Sequence, residues 1–414
     1  MARQVFEGIK VADFAWAGVG PMVGRELAEH GAIVVRIESH RRMCSLRTMG
    51  PFPEGKTGVN CSAMFAAYNT QKYGMTLDMS HPSAGVVTRR LVEWADVISD
   101  SMTPGVMDKW GLDYESCRNL NPAVIYFSTT QQGKDGPYSD FHGYGHHANA
   151  IFGACEYTGW PDSEPTLPFT AYSDFIAPWY LTTAVIGALI RRGKTGKGMY
   201  IEQSQLEAGL SFMAVHSLDY AVNDRIGTRM GNRDRYMCPH GIYPCRGMNR
   251  WIAIVIADDK QWVSFCQVAR NPEWSTDSRF ATTLARKKNE DELDRLIGEW
   301  TKDYTAEQVM AMLQNAGVPA GVVQNGEDLL NDPQLKCQEH YRVLKHPEIG
   351  PHSYNAPAYR LSKTPCHIER PAPCIGQDNG YIYKDLLHFT EDEIADLIAE
   401  GVITTDADLE ALGR

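Results

Sequence analysis

The first half of the chain alternates short apolar runs with longer amphipathic stretches. Five apolar runs have the length of buried strands: 9–14, 31–38, 95–99, 123–127 and 199–203. The stretches between the first four have helical spacing, clearest in the two that end at Glu29 and Trp94. Because strands that alternate with helices pair in parallel, the pattern predicts an α/β fold with an open, mostly parallel, Rossmann-like sheet. Ligands of such sheets bind at loops beyond the carboxyl ends of the strands.

Residues 168–198 combine a loop, an apolar helix and a terminating segment. Ser173 and Asp174 lie where the loop turns into the helix, 179–190 is typical of a buried helix, and the cations and glycines of 191–198 end it. A carboxylate at a helix start lies at the positive end of the helix dipole, which favours its ionised form. Asp174 is therefore either an N-cap or a nucleophile, and spacing alone favours the N-cap.

The pattern changes in the second half of the chain. After a helix predicted over 206–222, the composition shifts near Asn223, and later elements are a hairpin over 241–254, helices at 259–268 and 288–300, and a strand within 316–323. This predicts a large domain from 1–222, a smaller α+β domain from 223–325, and a segment from 326–414 that returns to the large domain.

Composition and charge narrow the class of protein. The 414 residues are 43% hydrophobic, which excludes a disordered chain, and 51 acids against 40 bases give a net charge of −11. That charge argues against a nucleic-acid or anionic-membrane partner. The ten cysteines form no CxxC pair, so we expect reduced thiols and no metal site. Without a signal-peptide run, and with an apolar segment too short to span a bilayer, we expect a cytoplasmic protein.

Three loops of the first half are candidates for ligand binding. The turn at 17–21 has two glycines, but Val23 occupies the third glycine position of a dinucleotide fingerprint, which argues against a conventional NAD site. The loop at 40–57 is either a phosphate site or a solvated basic loop. The turn at 101–109 leads into a helix, so its backbone N–H groups are free to meet a ligand.

Further motifs occur in order along nearly the whole chain: 8–14 with Gly20 and Pro21, 31–38, 95–98 with 104–114, 121–126 with Gly136 and Pro137, 194–198, and 316–320 with Asp332 and Pro333. Together they resemble the class III CoA-transferases, the group of formyl-CoA and carnitine CoA-transferases and the related 2-methylacyl-CoA racemases. The resemblance implies an interlocked dimer in which each chain passes through the other.

The resemblance places the family's nucleophilic aspartate at Asp174. In the implied reaction, the carboxylate attacks the thioester carbonyl of an acyl-CoA, forms a mixed anhydride and releases CoA thiolate. The thiolate then returns to form an aspartyl-CoA thioester, from which the second acid takes the CoA. CoA thioesters are thus substrates, and no tightly bound cofactor is implied.

The resemblance also implies a set of CoA contacts on loops at the strand ends: Gly18, Val19, Ser39, Arg41, Leu77, Ser101, Met102, Thr103, Lys109, Phe141, His142 and Tyr144. The CoA phosphates need cations, and Lys109, Arg41 and Arg42 are the local suppliers.

The chain departs from formyl-CoA transferases at positions near the substrate. Gly18 replaces their substrate-polarising Gln, and 234–237 replaces their glycine-rich flap, so oxalate and formate are not expected as substrates. Arg235 is a candidate for holding a second carboxylate, beside Tyr236. These features, with several aromatic residues (Trp16, Trp160, Phe169 and Trp179), indicate a bulky or aromatic dicarboxylate as acceptor. In this the chain resembles the catalytic subunit of benzylsuccinate CoA-transferases, which implies succinyl-CoA as donor and benzylsuccinate as an acceptor.

Two alternatives remain open at this point. A racemase needs an acid–base pair, for which the chain offers His146 with Asp174, and a second acid at Asp258 or Asp259. A non-catalytic subunit of a heteromeric transferase lacks the nucleophile, whereas Asp174 is present here. The partner of this chain is either a second copy or a homologous subunit.

Overall fold

The computed structural model describes residues 4–411, which form two compact units. Among these, the sheet unit comprises the residues up to Ala154, Leu167–Val222 and those from Gln334 onward. The small unit comprises Cys155–Thr166 and Asn223–Pro333. Relative to the predicted boundaries, 155–166 joins the small unit, and the chain returns to the sheet unit eight residues later than expected (334 − 326).

The main sheet of the sheet unit has six strands among residues 4–411: β1 (Lys10–Asp13), β2 (Ile33–Glu38), β3 (Tyr73–Thr76), β4 (Val97–Asp100), β5 (Ile125–Thr130) and β6 (Met199–Ser204). Their order is β3-β2-β1-β4-β5-β6, and every neighbouring pair is parallel. This confirms the predicted open parallel sheet. The strand order reverses direction between β1 and β4, so a crevice for ligands is expected where the loops after these two strands diverge.

Helices pack on both faces of the sheet. The helices of the sheet unit up to residue 223 are α1 (Val19–Glu29), α2 (Ala63–Tyr68), α3 (Ala84–Trp94), α4 (Val106–Lys109), α5 (Tyr114–Leu120), α6 (Gly145–Ile151), α8 (Tyr172–Thr195), α9 (Gln205–Phe212) and α10 (Ala214–Asn223), while α7 (Ala154–Tyr157) crosses the boundary in the chain between the two units. Successive strand side chains alternate between two cores. Val11 packs with α1 and α8, whereas Ala12 packs with α3 and the C-terminal segment. The single helix predicted over 206–222 is wrong, because the chain breaks at Met213 into α9 and α10.

Helix α8 differs from its prediction in position and exposure. It begins at Tyr172 and continues through Pro178, with Ala171 as N-cap, so Asp174 lies in the first turn rather than at the cap. Trp179 and Ile190 are 46% and 57% exposed, so the predicted wholly buried helix is wrong. By length and composition alone α8 could cross a membrane, but it packs against α1, α6 and α9 within the sheet unit.

The small unit is built around a three-stranded antiparallel sheet of β7 (His240–Pro244), β8 (Trp251–Val255) and β9 (Ala320–Val322). Five helices belong to it: α11 (Asp259–Val268), α12 (Thr283–Lys288), α13 (Glu290–Thr301), α14 (Ala306–Asn315) and α15 (Gly326–Asn331). The apolar faces of α11, α13 and α14 form one core with the sheet around Phe265, Phe280 and Ile297. The predicted hairpin over 241–254 and the helix over 259–268 are confirmed.

The C-terminal part of the chain completes the sheet unit. After α16 (Pro333–Cys337) come the antiparallel pair β10 (Tyr341–His346) and β11 (Gly350–Asn355), a π-helical stretch at Tyr381–Leu386, α17 (Glu391–Ala399) and α18 (Asp406–Ala411). The stretch from Ile382 to Ile403 packs against the α3 face of the parallel sheet.

Candidate functional site

A cavity of about 470 Å³ opens at the carboxyl ends of β1, β4 and β5. Its lining comes from the turn before α1, the loops after β4 and β5, and the first turns of α6 and α8. Nine residues singled out from the sequence lie together here: Gly18, Val19, Ser101, Met102, Thr103, Phe141, His142, Tyr144 and Asp174. The cavity lies at the reversal of strand order, where ligands of open parallel sheets bind.

A second cavity of about 260 Å³ adjoins the first and shares Trp16 and Met102 with it. Three other residues named from the sequence line it: Ser39, Leu77 and Lys109. Its lining includes the aromatic side chains of Phe14, Trp16 and Trp110 and the cations Arg42 and Lys109. Because the two cavities share Trp16 and Met102, we refer to them together as the cleft.

The three arginines of the basic loop after β2 lie in different environments. Arg42 lines the second cavity. Arg41, named from the sequence as a CoA contact, is outside that lining; its side chain is 62% exposed and its Nε lies 3.5 Å from Asp78 Oδ2. Arg47 is buried and donates to Glu38 at 2.8 Å, so it is a structural ion pair rather than a phosphate ligand or a solvated charge.

The carboxylate of Asp174 lies between two glycines. A methyl group built at Gly18 would come within 2.9 Å of Asp174 Cγ, and one at Gly145 would come within 2.7 Å of the same atom. Real Cβ atoms do not approach other atoms so closely. The two glycines therefore let the backbone of α1 and of α6 approach the carboxylate directly.

Burial raises the pKa of Asp174 to about 6 from its ordinary value of 3.8. The carboxylate receives no hydrogen bond from any described residue that would oppose this shift. The expected stabilisation of the ionised form by the helix start is thus outweighed by desolvation. At neutral pH the group remains mostly ionised but poorly solvated, which suits a nucleophile.

The turn that carries Gly18 is fixed by hydrogen bonds from neighbouring strands. Ser101 Oγ accepts the N–H of Trp16 at 2.7 Å and donates to the Trp16 carbonyl at 2.8 Å. Ala17 then adopts φ 59°, a left-handed conformation that costs free energy for a residue with a side chain. Its N–H donates to Cys44 Sγ at 3.3 Å. These contacts hold the start of α1 beside Asp174.

The start of α8 is held by side chains of β6 and α9. Gln203 Nε2 donates to the Ala177 carbonyl at 2.8 Å, and Ser173 Oγ donates to Gln205 Oε1 at 3.3 Å. Tyr68 also lies near the site, because the Asp174 charge adds to burial in raising the pKa of the Tyr68 phenol. The position of Asp174 therefore depends on β6, α9 and α2 as well as on its own helix.

We expect Asp174→Asn to stabilise the protein at neutral pH. Because the carboxyl pKa is raised on folding, ionising Asp174 costs folding free energy, and this cost is present above about pH 6 and vanishes near pH 4. The variant should gain roughly 1–2 kcal/mol at pH 7.5, after allowance for partial solvent exposure. Denaturant unfolding at pH 7.5 and at pH 4 measures this gain. An equal gain at both pH values would contradict the assigned cause.

Several candidates from the sequence lie elsewhere. His146 is exposed and outside the lining of the Asp174 cavity, whereas His147 lines it. The proposed racemase pair is therefore not assembled in this cavity. Arg235 and Tyr236 belong to the small unit, where Asp234 accepts the Tyr236 N–H at 2.7 Å.

The two other acids considered for a racemase have structural partners in the small unit. Asp258 is the N-cap of α11, whose side chain accepts the N–H of Gln261. Asp259 accepts from the buried Arg286 at 2.8 Å. Of the aromatic residues considered for a pocket, Trp16 lines both cavities, while Phe169 and Trp160 are exposed.

Sequence reasoning missed other residues of the site. These are Ser139, Gly145, His147 and Gln205, all of which line the cavity. Thr129, Thr130 and Gln131 also line the cavity, and their place after a predicted strand is the signal for a site residue. Gly145 and Gln205 offered no such signal, because their roles come from contacts across the fold.

Comparison with known proteins gives a consistent result. The model of CoA-transferase family III matches residues 6–379. The chain is 31% identical to the succinyl-CoA–D-citramalate CoA-transferase of Chloroflexus aurantiacus, over 96% of this chain and 98% of that protein. It is 30% identical to the succinate–glutarate CoA-transferase of Agrobacterium fabrum, over 92% and 95%. The crystal structure of a CAIB/BAIF family protein from Brucella suis matches with a TM-score of 0.85 at 30% identity, over 93% of this chain and all of that one.

Proposed function

The chain belongs to CoA-transferase family III, and on that premise we propose that it moves CoA from succinyl-CoA to a dicarboxylic acid through an aspartyl-CoA thioester at Asp174. The observation that carries this proposal is the Asp174 carboxylate itself. It is poorly solvated, receives no hydrogen bond from the described residues, and lies between Gly18 and Gly145 in the cleft.

The cleft has the chemistry that CoA requires. We assign the smaller cavity to the adenine nucleotide, because Trp16 and Trp110 offer aromatic faces and Arg42 and Lys109 offer cations for phosphates. The pantetheine arm then passes Met102, which lines both cavities, and brings the thioester to Asp174. Arg41, exposed at the rim, takes no part in this assignment.

The residues of the larger cavity supply the steps of the reaction. An Asp174 oxygen attacks the thioester carbonyl, and the C–S bond breaks to give a mixed anhydride and CoA thiolate. The thiolate attacks the aspartyl carbonyl and expels the first acid as its carboxylate. The carboxylate of the second acid then attacks the aspartyl-CoA thioester, which gives a second mixed anhydride and releases CoA thiolate. The thiolate attacks the acyl carbonyl of that anhydride, so the new acyl-CoA forms and the Asp174 carboxylate is released. No net proton or electron is consumed. The N terminus of α1, which has no side-chain cap, presents N–H groups of Gly18 and Val19 toward developing oxyanions.

The relatives support a dicarboxylate acceptor. One is named for D-citramalate and the other for glutarate, and both names include succinyl-CoA or succinate. Benzylsuccinate shares the succinate skeleton and remains in our proposal as a bulky acceptor. The reaction and its substrates place the protein in acyl-CoA metabolism, and we propose that it acts in the cytoplasm.

A CoA-exchange assay tests this function. Purified protein is mixed with succinyl-CoA and, in separate reactions, citramalate, glutarate, malate and benzylsuccinate, and new CoA thioesters are measured by chromatography. We expect transfer to at least one diacid. Absence of any new thioester, with the homologous subunit from the same source also supplied, would refute the proposal. Deuterium exchange at the α-carbon without transfer would instead support a racemase.

We propose that the functional form is a dimer with a second copy of this chain. In the sheet unit a run of large apolar side chains on α8, α9 and α10 is exposed: Trp179, Tyr180, Ile186, Ile190, Leu210, Phe212, Val215 and Leu218. Exposed apolar surfaces of this extent mark protein interfaces.

Light scattering after gel filtration tests the dimer. We expect a mass of twice 46.2 kDa for the purified chain. The double change Trp179→Glu and Ile190→Glu should shift it toward the monomer, because it places charge in an apolar contact. A control change at the exposed Asp385, to Asn, should leave the mass unchanged. A monomeric wild-type chain would contradict the homodimer and favour a homologous partner.

A further inference from the structure

The Asp174 cavity lacks a strong cation for the second carboxylate of a diacid. Among the described residues that line it, none is Lys or Arg. The basic side chains of the lining are His142 and His147. Within this lining, a diacid bound at Asp174 through one carboxyl group can therefore meet a basic side chain for its distal carboxylate only at these two exposed histidines.

His147 is held in one orientation by its own helix. It is the third residue of α6, and its Nδ1 accepts the N–H of the N-cap residue Tyr144 at 3.2 Å. A backbone N–H only donates, so the proton of the neutral ring lies on Nε2. This folded-back contact places the imidazole over the first turn of α6, as the side chain of a capping box does.

The Tyr144 backbone that holds the ring is itself fixed. Gln131, only 8% exposed, donates from Nε2 to the Tyr144 carbonyl at 3.0 Å. A methyl group built at Gly143 would come within 2.3 Å of Gln131 Oε1, so the loop lies directly on this carboxamide. The orientation of His147 is thus set by a buried contact rather than by the exposed loop alone.

The first turn of α6 also contacts the nucleophile. Gly145 approaches the Asp174 carboxylate, and His147 follows it by two residues, a rise of about 3 Å along a helix. His147 and Asp174 both line this cavity, so one ligand bound in it can meet both side chains. His142, in contrast, lies in the loop before α6, and no hydrogen bond within residues 4–411 fixes its ring.

We propose that His147 binds the distal carboxylate of the substrate through Nε2–H and so selects short dicarboxylic acids over monocarboxylic acids. The inference rests on the proposed function and names the residue that sets its substrate class. It assigns to His147 the role that sequence reasoning gave to Arg235.

The test compares donors that differ only in the distal group. Values of kcat/KM are measured for succinyl-CoA and butyryl-CoA with one acceptor, for the wild type and for His147→Leu, His147→Gln and His146→Leu. His147→Leu should lower the preference for succinyl-CoA about 10- to 100-fold, the usual effect of a lost charge-assisted hydrogen bond. His147→Gln retains an N–H donor and should restore part of the preference. His146→Leu changes the neighbouring histidine, which is also exposed but lies outside the cavity lining, and should leave the preference for succinyl-CoA unchanged.

The outcomes separate this inference from the proposed function. Suppose that the wild type transfers CoA and that His147→Leu lowers kcat/KM equally for both donors, or for neither. Then His147 does not select the diacid, and only this inference is overturned. An equal loss of preference in His146→Leu would overturn it as well. If the wild type transfers CoA from no donor, the proposed function fails first.

Discussion

Asp174→Asn is expected to lower CoA transfer by at least about 10⁴-fold, because loss of a covalent nucleophile removes the reaction path itself. The amide is nearly isosteric with the carboxylate, so Gly18 and Gly145 still fit around it. The steady-state rate of succinyl-CoA-dependent exchange measures the loss. In the wild type, the rate should also fall as the pH drops below about 6, where Asp174 becomes protonated.

A matched change shows that the effect belongs to this carboxyl group. Asp385→Asn removes an exposed acid from the same unit and should retain the wild-type rate. Asp174→Asn should meanwhile be folded and more stable than the wild type at pH 7.5. Inactivity accompanied by unfolding would leave the role of Asp174 to be judged from Asp174→Ala. Retention of the wild-type rate in a folded Asp174→Asn protein would exclude Asp174 as the nucleophile.

Gly145→Ala is expected to lower the exchange rate about 100-fold. The added methyl group would lie 2.7 Å from Asp174 Cγ and 2.5 Å from Ala171 Cβ, so the carboxylate or the first turn of α6 must move. Displacement of a reacting group by about 1 Å has an effect of this size. The same steady-state assay measures it, and circular dichroism establishes that the fold is intact.

The control for this change is Gly85→Ala in α3. A methyl group there meets no atom within 4 Å, and Ala is the better helix former, so activity should be unchanged and stability equal or slightly greater. An active Gly145→Ala protein with wild-type kinetics would show that the approach of α6 to Asp174 has no role in the reaction.

The fold was largely predictable because its signals are local. The runs of β1 and β2, with α1 between them, show the alternation of a parallel sheet, and the helix at Asp259–Val268 follows a capping aspartate. Exposure of α8 was not predictable from its composition. A helix that is apolar on all sides is compatible with a core, an interface or a membrane, and Trp179 shows no sign of which applies.

The residues of the site were predictable only where they lie in loops that follow the strands of the parallel sheet. Gly18 lies in the turn after β1 and Ser101 directly follows β4, so they were expected near one another. The choice between His146 and His147 depends on rotation about a short helix, and a shift of one residue moves a side chain by about 100°. Position 145 has no room for a side chain because Asp174, 29 residues later in the chain (174 − 145), lies against it. No local sequence pattern encodes such a contact.

The most direct test of the account is to trap the covalent intermediate. Protein incubated with succinyl-CoA is treated with hydroxylamine, which converts an activated aspartyl carbonyl into a hydroxamate, and the peptide that contains Asp174 is sequenced by mass spectrometry. We predict the hydroxamate at Asp174, dependent on succinyl-CoA and absent from Asp174→Asn. Full exchange activity with an unmodified Asp174, or modification at another carboxyl group, would contradict the account.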